Sequence, residues 1–491
     1  MLECWNVGVA GGMPLSPHYT PAPVHPDLGP ALFDEVRAAS FPEHRLRWRH
    51  DPAAESVGLA DLEDEEWVRH FGRLEPLPGN LVVPLALRYH GHQFRHYNPD
   101  LGDGRGFLFA QLREKGTARL LDLGTKGSGT TPWSRGGDGR LTLQGGVREV
   151  LAAELLAARG VPTCRIFSLV ETGEPLHRHD ERSPTRSAVM VRLSHSHIRF
   201  GTFQRLAWHR DADSMRRLLD HVVTHHYPHL ADSPDLPTAV LRAVSHRAAD
   251  TAAAWMAAGY VHGVLNTDNM NVTGESFDYG PWRAAVDLDP AFTAAYFDHA
   301  GLYAYDRQPG AVLWNLQRLA LALTLIGDPH TLGPALEDHP DVYAHQLARR
   351  WLWRLGLREQ GKGQDIALVD VLLSGLRDAK LPIDRFVHDW AGGPNATLRA
   401  LSGPLAPLYK RRWFAPLRDA LESRASASSE SRSGPLMEDG APVGLPIERV
   451  RAIWARIDED DDWTALYRTV DTLRSAGAWA RRLAGPPPAL S

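Results

Sequence analysis

The chain has 491 residues, 43% of them apolar and 23% charged, with a formal net charge of −5. This is the composition of a folded globular protein with ample core, about two to four domains' worth of chain or one large two-lobed enzyme. The slightly negative balance gives no general affinity for nucleic acid or an anionic membrane, and two cysteines, Cys4 and Cys164, allow neither a disulfide framework nor a cysteine-based zinc site.

Residues 1–12 show no basic stretch followed by an apolar run, so no signal peptide is read there. The longest apolar stretch, Leu319 to Ile326, is too short to span a bilayer. A cytoplasmic protein is expected.

Residues 1–85 mix prolines with short helical patterns and are read as an N-terminal extension. Within them, the acidic run Asp61 to Glu66 leads into Trp67, Val68 and Phe71. It predicts a helix with negative charge at its favourable end. A glycine-punctuated, strand-rich section follows. Phe107 to Leu112 and Leu120 to Leu123 predict paired strands around the turn Glu114-Lys115-Gly116. Val147 to Arg159 predicts a helix with Val147, Val150, Leu151 and Leu155 on its apolar face, stopped by Gly160 and Pro162. Ala188 to Val191 reads as another strand, and the connection before it is long and charged around 176–183.

From about residue 210 helical periodicity takes over, in Ser214 to Tyr227, Pro237 to Ala258 and Val312 to Ile326. The expected organisation is therefore α+β: a β-rich half at 86–209, then a larger α-helical half at 210–421. A Ser-rich linker at 422–445 and a helical tail at 446–491 complete it. A cleft between two such halves is a natural ligand site.

Four stretches carry candidate chemistry. In Leu101-Gly102-Asp103-Gly104-Arg105-Gly106, glycines at alternate positions let backbone N–H groups approach an anion, and Arg105 adds charge. Alone, the stretch reads first as a tight turn between strands. In the second, Gly124 to Arg140, Lys126 stands at the end of a predicted strand, where a kinase places its phosphate-pairing lysine. It is not a Walker A loop. Such a lysine needs a carboxylate to hold it, and Glu149 on the next helix is the candidate; a surface lysine and a solvated glutamate are the plain alternative.

The third stretch sets Arg192 and Arg199 around Leu193-Ser-His-Ser-His-Ile198, two guanidinium forks suited to phosphate. His195 and His197 alternate on one strand face, but no third metal ligand is apparent, and they read as ordinary polar residues. The same holds for His221 and His225. The fourth is the most specific: His262-Gly-Val-Leu-Asn-Thr-Asp268-Asn269-Met, then Phe277-Asp278-Tyr279-Gly280. In kinase-type sites an Asp faces the accepting hydroxyl, while an Asn and a later Asp-aromatic-Gly acid hold the metals. Hard oxygen ligands suit Mg²⁺ or Mn²⁺. The plain alternative, an Asx-rich turn, leaves the Asp-Tyr-Gly echo unexplained.

These motifs, together with Tyr89-His-Gly-His-Gln-Phe94, Thr131-Pro-Trp-Ser-Arg135, Ser196-His-Ile-Arg-Phe-Gly201 and Trp314-Asn-Leu-Gln-Arg-Leu319, occur in an order that resembles the selenoprotein O family of protein adenylyltransferases, also called the YdiU family. The resemblance spans about residues 80–330 and weakens beyond them. It implies a protein-kinase-like bilobal fold and an ATP bound in flipped orientation, so that AMP passes to a protein Ser, Thr or Tyr hydroxyl. It further implies Asp268 as proton acceptor and Asn269 and Asp278 as Mg²⁺ (or Mn²⁺) ligands. Lys126, Arg192 and Arg199 become phosphate contacts, and Gly102, Gly104, Arg105, Asp138 and Gly139 lie at the nucleotide. Glu149 stands where the lysine's partner belongs. The expected partners are ATP and protein substrates, with no nucleic acid and no membrane. UMP transfer from UTP, or an ATP-binding module without transfer, are the alternatives. Family members often carry a cysteine or selenocysteine near the C-terminus; this chain has no Cys after Cys164, which puts such redox control in doubt.

Overall fold

The computed structural model describes residues 16–178, 182–392, 396–427 and 441–489. The segment 1–12 and most of the Ser-rich stretch lie outside the described residues.

Among the described residues an eight-stranded antiparallel sheet dominates the first half. Its strands are β1 (Phe33–Glu35), β2 (Arg45–Arg49), β3 (Leu85–Leu87), β6 (Leu108–Arg113), β7 (Leu120–Lys126), β8 (Leu141–Thr142), β9 (Arg165–Leu176) and β10 (Thr185–Ser194). Their spatial order is β1-β3-β6-β7-β10-β9-β2, with β8 pairing β10. The intervening β4 (Gly91–Gln93) and β5 (His96–Asn98) form a separate hairpin.

The predicted β6–β7 pair is present, with Leu112 opposite Leu121 and Arg113 opposite Leu120. Leu120 to Lys126 is buried at every position, as expected for a strand covered on both faces. Two things differ from expectation. The segment read as an extension supplies β1 and β2 to the sheet, and the connection after Cys164 begins with the long strand β9. Its Ile166, Phe167, Leu169 and Val170 are all buried, so the apolar content of 165–176 outweighs the charged end at 176–183.

Two short helices, α1 (Asp51–Ser56) and α2 (Asp64–Phe71), lie between β2 and β3. Glu63 caps α2, and Glu66 reaches back to the cap's backbone N–H, a reciprocal arrangement that satisfies two orphan donors. α3 (Leu143–Ala158) starts at Thr142, whose hydroxyl accepts from Gly145 N. Val147, Val150, Leu151 and Leu155 are buried in the main core, as the periodicity predicts.

The second half is helical. α4 (Phe200–Trp208), α5 (Ala212–His226), α6 (Leu236–Ala258) and α7 (Gln308–Leu323) pack together, with α4 and α6 both against α7. Further helices follow, among them His339–Leu355 against α6 and Ile383–Trp390. The tail holds two, Ile447–Asp460 and Thr464–Ala484, and the second packs on α3. Gly477 permits that approach, because a Cβ there would lie 2.9 Å from Ala158 Cα. Between α6 and α7 run the short β11 (Tyr260–Val261), the 3₁₀ turn Thr267–Asn269, and β12 (Arg283–Ala284). No helix among the described residues is long and apolar enough to cross a membrane.

Candidate active site

The end of β7 delivers Lys126 to the interior, and α3, the next helix along the chain, delivers Glu149 to meet it. Lys126 Nζ donates to Glu149 Oε1 at 2.5 Å. It also donates to Asp278 Oδ1 at 2.5 Å. Glu149 Oε2 accepts from Tyr279 N at 3.3 Å, so one carboxylate orders both the lysine and the residue after Asp278. Asp278 sits at φ 63°, in the left-handed region that non-glycine residues rarely adopt and that is most often tolerated at functional sites.

β10 and the turn after it add two guanidinium groups. Arg192 Nη1 lies 3.5 Å from Asp278 Oδ1, and Arg199 Nη1 lies 4.0 Å from Asp278 Oδ2. Both stack over the Phe277 ring, at 5.3 Å and 5.0 Å. Arg199 also lies 4.5 Å over Tyr89 and donates from Nη1 to the Asp268 carbonyl at 2.7 Å. Burial alone would raise the Asp278 carboxyl. The charges of Lys126, Arg192 and Arg199 outweigh it and hold Asp278 well below the usual carboxylate range.

Asp268 has the opposite environment. Burial lifts its carboxyl to about 6, against the pull of Arg199. Its Oδ1 is buried and has no hydrogen-bond partner. The two acids of this motif therefore have separated proton affinities: Asp278 stays ionised, while Asp268 holds or releases a proton near neutrality. Such a split suits one carboxylate to proton transfer and the other to holding charge.

Among the described residues no three His, Cys, Asp or Glu side chains cluster closely enough to hold a metal by themselves. Asn269 Oδ1 is a buried oxygen without a partner, and Asn269 Nδ2 donates to Asp278 Oδ2 at 3.2 Å. An amide oxygen beside an ionised carboxylate is a hard donor pair. Mg²⁺ is usually held by one or two such protein groups, with waters and phosphate oxygens completing its shell, so these residues fit that ion in company with a nucleotide.

The remaining residues expected at the nucleotide lie in two glycine loops packed on each other. A Cβ at Gly106 would lie 2.1 Å from Thr125 O, and one at Gly104 would lie 2.9 Å from Trp133 O. At Gly102 it would meet the Trp133 ring at 2.3 Å. The Arg105 carbonyl accepts from Gly127 N, and the Gly139 carbonyl accepts from Gly129 N. Asp138 accepts from Arg140 N and pairs with Arg178. Gly102, Gly104, Arg105, Asp138 and Gly139 thus shape the loops beside Lys126, and none makes a hydrogen bond to the acid cluster.

His195 serves another partner, lying 3.6 Å from Glu275, whereas His197 N donates to Asp122 Oδ2 and His197 Nε2 accepts from Arg192 Nε at 3.3 Å, so His197 braces a site arginine. Sequence reasoning missed Asp103, whose Oδ1 lies 3.4 Å from Arg199 and whose Oδ2 accepts from Leu87 N. Its place inside the Gly-Asp-Gly stretch was the available signal. It also gave no role to Tyr89-His-Gly-His-Gln-Phe94, although Gly91 abuts Asp268: a Cβ there would lie 3.0 Å from Asp268 Oδ1.

Comparison with known proteins gives this arrangement a context. The family model described as "Protein adenylyltransferase SelO" matches residues 15–474. The chain is 42% identical over 472 residues to the "Protein nucleotidyltransferase YdiU" of Synechococcus elongatus, covering 93% of this chain and 95% of that protein. It is 44% identical over 467 residues to the protein of the same description from Gloeobacter violaceus, with 93% and 95% covered. The one from Klebsiella pneumoniae is 37% identical over 347 residues, covering 70% and 71%. The likeness extends well past residue 330, which corrects the expectation that it weakens there. The chain belongs to the SelO family of protein adenylyltransferases, and it is a nucleotidyltransferase.

Proposed function

From that membership as premise, we propose that the chain transfers AMP from ATP to Ser, Thr or Tyr hydroxyls of proteins, with Asp268 taking the proton. The observation that carries it is the pairing of a buried, unpartnered Asp268 Oδ1 with three cations gathered around Asp278. The frame is read as protein-kinase-like and bilobal, the sheet with α3 forming one lobe and the helices from α4 onward the other.

The acceptor oxygen attacks the α-phosphorus, the bond from that phosphorus to the β-phosphate oxygen breaks, and pyrophosphate leaves. Asp268, ionised at neutral pH yet with a carboxyl lifted to about 6, accepts the hydroxyl proton as the new bond forms. Lys126, Arg192 and Arg199, all buried, offset the negative charge on the phosphate oxygens where fixed charges act strongly. Glu149 keeps the lysine in its rotamer. Mg²⁺, held by Asn269 Oδ1 and Asp278, would supply further charge neutralisation at the phosphates. The glycine loops at 102–106 and 127–139 bring backbone close to the nucleotide.

Incubation of the protein with ATP labelled at the α- or the γ-phosphate tests this. Protein-bound label from the α position alone is expected. Label from the γ position alone would make the protein a kinase and overturn AMP transfer. α-Labelled UTP run in parallel reads the base preference.

A further inference from the structure

The motif Tyr89 to Phe94 has no place in the chemistry above, yet its backbone and side chains converge on the loop that carries Asp268. His92 N donates to Thr267 Oγ1 at 2.7 Å. Thr267 Oγ1 in turn donates to Gln204 Oε1 at 2.6 Å. Gln204 Nε2 closes the ring with His92 Nδ1 at 2.8 Å. The amide donates there, so Nδ1 is the acceptor and the imidazole keeps its proton on Nε2. Phe94 N donates to Asn266 Oδ1 at 3.0 Å, and Tyr303 Oη donates to the same oxygen at 2.8 Å. The two residues preceding Asp268 are thereby tied to the hairpin β4–β5. Gln204 belongs to α4 and His92 to the hairpin, so the ring joins three separate elements at one threonine.

Thr267 is fully buried and Gln204 nearly so. The His92 ring is wedged edge-on against Trp314 at 5.3 Å and Tyr97 at 5.0 Å. A closed ring in which each polar atom has its partner is rigid, because opening any member leaves another buried and unsatisfied. From the other side Arg199 holds the Asp268 carbonyl. Asp268 Oδ1 itself is left without a hydrogen-bond partner.

We propose that His92 is a positioning residue for the transfer: through Gln204 and Thr267 it fixes the backbone before Asp268, so that Oδ1 stays free and aimed at the acceptor hydroxyl. This rests on reading Asp268 as the proton acceptor.

His92→Ala and His92→Asn test it, with steady-state transfer of α-labelled AMP and the rise in melting temperature caused by Mg-ATP as readouts. The Ala variant is expected to lose roughly 10- to 100-fold in kcat, the scale of a small misplacement at a reacting group. KM for ATP should stay within about twofold and the Mg-ATP shift should persist, because the hydrogen bond that Ala removes orients Asp268 and does not bind nucleotide. Asn places an acceptor where Nδ1 stands and should restore most of kcat. Wild-type kcat in the Ala variant, or an Asn variant as impaired as Ala, overturns the proposal. So does a loss of kcat matched by loss of the Mg-ATP shift. If His92→Ala does not fold, Thr267→Val against Thr267→Ser carries the same contrast, one deleting and one keeping the bridging hydroxyl. A wild-type protein that transfers no α-label sinks the AMP-transfer reading instead, which separates the two failures.

Discussion

Lys126 and Asp278, separated by 152 positions in sequence, meet at 2.5 Å between Nζ and Oδ1. Asp278 is the carboxylate around which Lys126, Arg192 and Arg199 gather. Its removal leaves three cations facing one another, with Glu149 beside Lys126 and Asp103 beside Arg199 as nearby acids. Asp278→Ala is expected to cost about 3–5 kcal/mol, the range for breaking a buried ion pair on one side. It should also abolish the Mg-ATP-induced rise in melting temperature. Denaturant unfolding and thermal scans with and without Mg-ATP check both.

Asp268→Asn should lower transfer by roughly 10²- to 10⁴-fold, the usual range for a lost general base, while ATP binding remains. The same substitution carries a stability signature. The Asp268 carboxyl is raised from 3.8 to about 6 in the fold, so its protonated form favours the folded state. That contribution is fully present below pH 3.8 and is lost as pH rises through 6. Above pH 6 the buried charge costs about 3 kcal/mol by this measure, and Asn, neutral throughout, avoids it. The variant should therefore melt higher than wild type at about pH 8 and no higher at about pH 4. For the wild type, the transfer rate should climb with pH through about 6.

Arg199 acts as a fork: one nitrogen on the Asp268 carbonyl, another near Asp103, and the plane stacked on Tyr89 and Phe277. A lysine ammonium reproduces the charge but neither the fork nor the stacking. Arg199→Lys should lose about tenfold or more in kcat/KM, with the far-ultraviolet circular dichroism spectrum unchanged. Full activity in the Lys variant would mean that charge alone suffices at this position.

Glu154, on α3, is bound by Arg474 Nε and Nη2 at 2.8 Å and 2.7 Å, and His50 lies 3.1 Å away. Burial would raise the Glu154 carboxyl, but these partners hold it down, from 4.5 to about 2. Its contribution to stability is therefore present above pH 4.5 and is lost as pH falls towards 2. The full shift corresponds to about 3 kcal/mol; the Arg474 side chain is 35% exposed, so its own share is about 1–2 kcal/mol after solvent screening. Arg474→Met should lower the unfolding free energy read from urea titration at about pH 7 by that amount, and by less at about pH 3.

The parts of this molecule that were legible in the sequence are those fixed by local pattern. The apolar face of α3, the β6–β7 pair and the Asp-Asn…Asp-Tyr-Gly spacing all rest on neighbours within one or two elements. The strands β1 and β2 were hidden because they are short, lie among prolines, and owe their conformation to pairing with β3 and β9 far along the chain. β9 was obscured by the charged residues that follow it. The hydrogen bonds of His92 with Gln204 and Thr267 span 112 and 175 positions, and nothing in spacing announces them. Lys126 and Glu149 were paired by analogy alone, since strand and helix periods place them near each other without saying which way each points.

α3 is held on two sides. One turn carries Glu149 to Lys126, and the next carries Glu154 to Arg474 on the helix Thr464–Ala484. Leu151 and Leu155 share a core cluster with Leu466, Val470 and Leu473. A fragment trimmed to the motifs, about residues 80–330, would keep every residue assigned to the chemistry. It would leave an apolar helix face and a buried carboxylate open to water, directly behind the lysine's partner. The shortest stretch that contains the recognisable signature is thus not the shortest that can work, and a dissection of this enzyme must keep 464–484 to keep the site.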